Sequence, residues 1–232
     1  MSHRCVFVGA VLLAALVAGC SPGPDVVHWT EEVKSHDGSV IFLEARATRA
    51  RQPIVLFERR GPVTSVEYFH RPSGAYWKSP GAGFMPATFD LVDGVPYMVV
   101  PVGSEIVCIW FDFPEKDLLI YRWQDQGWRK ARYGDLPSSL DFNLLNGIFN
   151  ERDRSKDVSG LVTLEIKRTR DGERGGGIKG FLERRNGGTW CAGHKARYEK
   201  LGRKPLEAFQ TDDTPPQLEG GHGVADSDLM GK

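Results

Sequence analysis

No excess of either charge, no apolar run long enough to span a bilayer comfortably and no familiar catalytic motif occur in these 232 residues. Thirty Lys plus Arg offset thirty Asp plus Glu. That balance removes the simplest argument for a nucleic-acid partner, so none is expected and any electrostatic role must be local. Ser-x-x-Lys and His-Glu-x-x-His are missing, and the single Gly-x-Ser-x-Gly match, Gly19 to Gly23, lies in a Pro-containing tether instead of a strand-to-helix elbow. Cys-x-x-Cys-His is missing too, so covalent haem is not indicated and no cofactor is expected. Cysteine is scarce: Cys5, Cys20, Cys108 and Cys191 are all there is.

The N-terminus is the most informative stretch. Arg4 supplies a positive charge and Val6 to Ala18 a short apolar run, the pattern of a secretory signal peptide over residues 1–19. A transmembrane helix needs about 20 apolar residues, more than this run provides. Leu16-Val17-Ala18-Gly19-Cys20 resembles the lipobox of bacterial lipoproteins, in which aliphatic and small residues precede the cysteine that receives diacylglycerol. The resemblance implies cleavage before Cys20 and lipidation of its thiol, with palmitate among the acyl chains. Ser21 stands where an Asp would retain the protein at the inner membrane, so the outer membrane, facing the periplasm, is the expected address. Each buried CH₂ contributes about 0.8 kcal/mol, which makes a three-chain anchor close to permanent. Cys108 and Cys191 remain in the mature part. Two cysteines left over in an oxidising envelope usually pair, although both could be buried thiols in separate strands; a Cys108–Cys191 disulfide is the expectation.

Residues 20–27 read as lipidated cysteine and tether, 28–204 as one globular domain and 205–232 as a disordered acidic tail with six carboxylates against one lysine. Within the domain, short apolar runs alternate with turn chemistry. Asp37-Gly38, Pro72-Ser73-Gly74, Asp93-Gly94 and Asp125-Gln126-Gly127 each separate two such runs, and four successive hairpin signals predict a mainly β, antiparallel, sandwich-like domain. Ile106 to Phe113 reads as an interior strand, and Gly160–Arg170 and Gly180–Arg185 read as two more strands joined by a Gly-rich loop. The spacing of Leu140, Leu144, Leu145, Ile148 and Phe149 predicts one amphipathic helix over 139–149, packed on the sheet.

Few residues suggest chemistry. Cys191-Ala192-Gly193-His194 has metal-ligand spacing, but no further ligands are grouped with it, and a cysteine beside a surface histidine is the better reading; no metal is expected. Arg170 to Gly180 lacks the Gly-Lys-Ser/Thr ending of a phosphate loop. Carboxylates such as Glu31 with Glu32, or Glu105, Asp112 and Asp117, serve glycosidic chemistry only if folding brings two of them about 5 to 9 Å apart. Trp77, Trp110, Trp123, Trp128 and Trp190, with Tyr68, Tyr76 and Tyr121, either fill the core face or form a stacking surface; alternation favours the core. Residues 151–204 hold fifteen basic against eight acidic residues, and Arg168, Arg170, Arg184 and Arg185 suit lipid or lipopolysaccharide phosphates unless they simply face water.

The opening Trp29-Thr30-Glu31-Glu32-Val33 with Asp37-Gly38, the Tyr68-to-Trp77 hairpin, Gly94-Val95-Pro96-Tyr97, and Leu136-Pro137 leading to Asn143-Leu144-Leu145 resemble a group of uncharacterised proteobacterial secreted proteins and lipoproteins over residues 28–150. That resemblance implies a location and no activity. The expected role is a non-catalytic binding or interaction module, an immunity or accessory lipoprotein being one form of it, acting on an envelope protein or glycan. The alternative is an envelope hydrolase working on glycans or lipids through dispersed carboxylates.

Overall fold

A computed structural model of the chain describes residues 25–52, 59–79, 81, 84–145, 160–171 and 177–201. The expected signal peptide, Cys20, the tether before Asp25 and the acidic tail lie outside the described residues. Eight strands form the four expected hairpins: β1 (Asp25–Lys34) with β2 (Val40–Gln52), β3 (Arg59–His70) with β4 (Ala75–Lys78), β5 (Thr88–Val92) with β6 (Val95–Pro101), and β7 (Leu118–Gln124) with β8 (Gly127–Lys130). Local chemistry makes each turn. Gly38 has φ 89° while the Asp37 carboxylate accepts a 2.9 Å bond from the Ser39 N–H. Asp93 and Gly94 both have positive φ, 51° and 77°, as a two-residue turn matched to strand twist requires.

A ninth strand, β9 (Gly160–Val162), adds parallel to β1, giving a five-stranded sheet ordered β4-β3-β2-β1-β9 beside a four-stranded sheet ordered β5-β6-β7-β8. Alternation decides the faces. Trp29, Glu31 and Val33 point inward from β1 while Glu32 and Lys34 point outward. The inner faces share one core, in which Trp77 of the first sheet lies 5.3 Å from Tyr121 and 5.6 Å from Trp128 of the second, ring to ring. The second sheet is buried on both sides. Tyr97, Val99, Leu118 and Ile120 on its far face pack with Leu140, Ile178, Phe181 and Leu182, which explains why Pro96 to Val100 is apolar without interruption.

Among the described residues, four α-helices complete the fold: α1 (Glu105–Trp110), α2 (Leu164–Asp171), α3 (Gly177–Arg184) and α4 (Trp190–Lys200). Three expectations are corrected. Ile106 to Phe113 is helix α1 followed by a turn, with Asp112 and Phe113 both at φ 53°; a run this short does not distinguish strand from buried helix. The strand expected over 160–170 ends at Val162, where the Glu32 carboxylate takes the Leu164 N–H at 3.0 Å and starts α2, and 180–185 belongs to α3 and the turn after it. Residues 139–145 are not helical, and 146–149 lie outside the described residues. Asn143 is the physical reason. Its side-chain oxygen accepts from the Phe89 N–H at 3.0 Å, and its amide nitrogen donates to the carbonyls of Lys34 at 2.9 Å and Phe89 at 2.8 Å. The N–H groups of Asn143 and Leu144 both go to the Ala87 carbonyl, so this segment seals a sheet edge with the same groups a helix would need.

Candidate functional site

A buried carboxylate must be paired or heavily hydrogen-bonded. Three such groups, Glu31, Asp90 and Asp117, are each 0% exposed, and the partners each has found decide what this domain can do.

Glu31 comes from the inward face of β1. Its Oε2 accepts from Trp29 Nε1 at 3.0 Å, and its Oε1 takes the Leu145 N–H at 2.5 Å and the Lys167 ammonium at 2.6 Å. Lys167, on α2 and itself buried, also donates to the Asn143 carbonyl at 2.6 Å. Burial, reinforced by the Glu31 charge, pushes the neighbouring Tyr68 phenol well above its ordinary range. Glu32, one residue on, faces the other side of the sheet, so the adjacent acids never share a site.

Asp117 sits at the entry to β7 with φ 55°. Its two oxygens accept the Trp190 N–H at 3.0 Å and the Cys191 N–H at 2.7 Å, capping α4 from more than seventy residues away. Cys191 and Cys108, both buried, form a disulfide across α4 and α1 with a Cα separation of 5.4 Å. Around this joint, the Arg185 guanidinium stacks 4.1 Å from the Trp190 ring, Trp190 packs edge-on to His194 at 4.6 Å, and His194 Nδ1 lies 3.0 Å from Glu105. Gly188 closes the contact: a Cβ there would come within 2.6 Å of the Lys116 Cα.

Asp90 gathers Ser35 and His36 from the β1–β2 turn. Ser35 Oγ donates to Asp90 Oδ1, the His36 N–H reaches Oδ2 at 2.9 Å, and His36 Nδ1 lies 3.1 Å from Oδ1. Ser, His and Asp together suggest a nucleophilic triad, but the wiring is different. In a triad the imidazole stands between serine and carboxylate. Here the serine donates straight to the carboxylate, and the ring nitrogen near Ser35, at 3.4 Å, is the same Nδ1 that faces Asp90. The group ties a hairpin turn to β5.

The other candidates fall into place around these three. Asp112 is exposed in a turn, Glu105 faces His194, and both oxygens of Asp117 are taken by its cap. Among the described residues, no group of three His, Cys, Asp or Glu side chains could hold a metal. Trp77, Tyr68 and Tyr121 are buried in the core, and Trp110, Trp128 and Trp190 pack against it. Among the described residues no helix is long and apolar enough to cross a membrane.

What the domain does expose is surface. Val40, Phe42 and Leu161 on the outer face of the five-stranded sheet are 46%, 55% and 50% exposed. A groove of about 450 Å³ adjoins them, lined by Phe42, Glu44, Phe69, Arg71, Pro72 and Leu91 among others. A second groove of about 660 Å³ runs between residues 133–141 and α3. Sequence reasoning did not find the Glu31–Lys167 pair or the Asp90 cluster, because their members are over fifty residues apart; an inward-facing Glu in an otherwise apolar alternation was the available signal. The chain matches no protein-family profile, no curated protein and no solved structure.

Proposed function

We propose that this chain is a lipoprotein of the cell envelope, held at the outer membrane through Cys20, whose β-rich domain binds an envelope protein or glycan and carries out no catalysis. Anchoring rests on the Leu16-Val17-Ala18-Gly19-Cys20 sequence. The observation that carries the binding reading is how the buried carboxylates are used. Glu31, Asp90 and Asp117 are saturated by backbone N–H groups, an ammonium, a serine hydroxyl and an indole, all of them serving architecture. A general acid or base keeps one face open to substrate. Exposed Val40, Phe42 and Leu161 beside a groove give a partner apolar surface on a rigid sheet.

The test is a cross-linked pull-down of the lipidated, C-terminally tagged protein from native envelopes, run beside Cys20→Ala and Phe42→Asp forms. One abundant partner, lost from both variants while Phe42→Asp keeps its thermal unfolding midpoint, supports the reading. Turnover of glycan or lipid substrates by the purified protein, removed by no change at this face, contradicts it.

A further inference from the structure

The chain is neutral overall, but its charge is not evenly placed. On α3, α4 and the turn between them, Lys179, Arg184, Lys195, Arg197 and Lys200 are exposed against only Glu183 and Glu199. Helix α4 is docked by one side: Cys191 is buried, His194 and Tyr198 follow at helical spacing and are half-buried, Ala192, Ala196, Arg197, Glu199 and Lys200 face solvent, and Lys195 is exposed with its ammonium 5.8 Å from the Phe113 ring centre. A helix that contributes so little to the core is nevertheless held by a disulfide, a buried carboxylate cap and an arginine–indole stack. These contacts hold its outer face at a fixed angle to the domain.

Geometry outside the helices supplies the partner. Between Cys20 and the start of β1 at Asp25 the chain reaches no more than about 18 Å when fully extended. A domain tethered that closely rolls on the bilayer surface, and a basic face settles toward anionic headgroups once within about a Debye length, roughly 8–10 Å.

We propose that the solvent face of α3–α4 lies on the anionic surface of the membrane that carries the chain's own anchor, with lysine and arginine on lipid phosphates. This deepens the function proposed above and rests on lipidation at Cys20. It also sets the domain's orientation, since one face is then committed to the membrane.

The experiment reconstitutes the lipidated protein on vesicles of phosphatidylcholine alone and of phosphatidylcholine mixed with phosphatidylglycerol, and reads amine labelling by mass spectrometry. On the anionic vesicles Lys179, Lys195 and Lys200 label several-fold more slowly, while Lys34 and Lys78, exposed on the five-stranded sheet, do not change. Salt removes the difference, and the Arg197→Glu, Lys200→Glu double variant removes it at Lys179 and Lys195. Equal slowing at all five lysines, or slowing that survives the double variant, overturns the proposal. Flotation with neutral vesicles reads the anchor by itself. Protein that fails that test yet floats with anionic vesicles at low salt retains the basic face and loses the anchor; failure with both vesicles removes both.

Discussion

Asp117 is a connecting residue at positive φ, yet it supplies both acceptors for the first turn of α4. Asp117→Ala leaves two buried N–H groups without a partner and is expected to cost about 2–3 kcal/mol in urea unfolding. Lys167→Met leaves Glu31 charged and unpaired, at a cost of about 3–5 kcal/mol, and adding Glu31→Gln is expected to restore part of it, because a neutral pair no longer strands a charge. Three other buried groups bear on the pH range. Burial holds the His70 imidazole below its ordinary 6.5, so folding favours the neutral ring; that contribution is present above pH 6.5 and is lost as pH falls through the lowered value. Burial raises the Tyr68 and Tyr121 phenols above 10.0, so their contributions are present below pH 10.0 and are lost as pH rises through the raised values. Urea midpoints are therefore expected to be level between these limits and to fall outside them, with Tyr68→Phe reducing the alkaline fall and Tyr121→Phe reducing it further. Beyond the core placement of Tyr68 and an inward-facing Glu31 in the β1 alternation, these roles were not legible in the sequence. A carboxylate's partner 74 residues away leaves no local pattern, and spacing along the chain does not say that Asp117, unlike Glu105 and Asp112, is taken up by backbone N–H groups.

At the scale of elements, legibility follows the range of the forces involved. All four hairpins were visible because Asp-Gly and Pro-Ser-Gly dictate turn geometry within four residues. The helices were not. α1 and α4 meet through Cys108, Cys191 and Asp117, and the 139–145 segment takes its shape from Asn143 bonding to Lys34 and Phe89. Tertiary partners override local periodicity in both places. The joint around α4 is testable. The Cys108–Cys191 bond spans 83 residues, so Cys108→Ala with Cys191→Ala is expected to lower stability by up to about 4–5 kcal/mol. Gly188→Ala puts a Cβ 2.6 Å from the Lys116 Cα at a φ of 79°, and is expected to cost at least about 1–3 kcal/mol and to expose Cys191 to thiol reagents once the bond is reduced.

For the whole molecule, two sheets and their covering helices bury Glu31 and Asp117 but leave Asp112 exposed and Glu105 half-covered, and they leave an apolar sheet face and a basic helical face in solvent. Fold class was readable from turn chemistry and alternation; surface roles were not, since exposure depends on which faces the layers cover. The account depends above all on the lipid proposed at Cys20, which would put the domain at a membrane and give both faces something to meet. Labelled palmitate fed to cells expressing the protein, followed by immunoprecipitation and mass spectrometry of the N-terminal peptide, measures this directly. The account predicts label and acylated Cys20 in the native protein and neither in Cys20→Ala; no label in the native protein, or equal label in both, contradicts it.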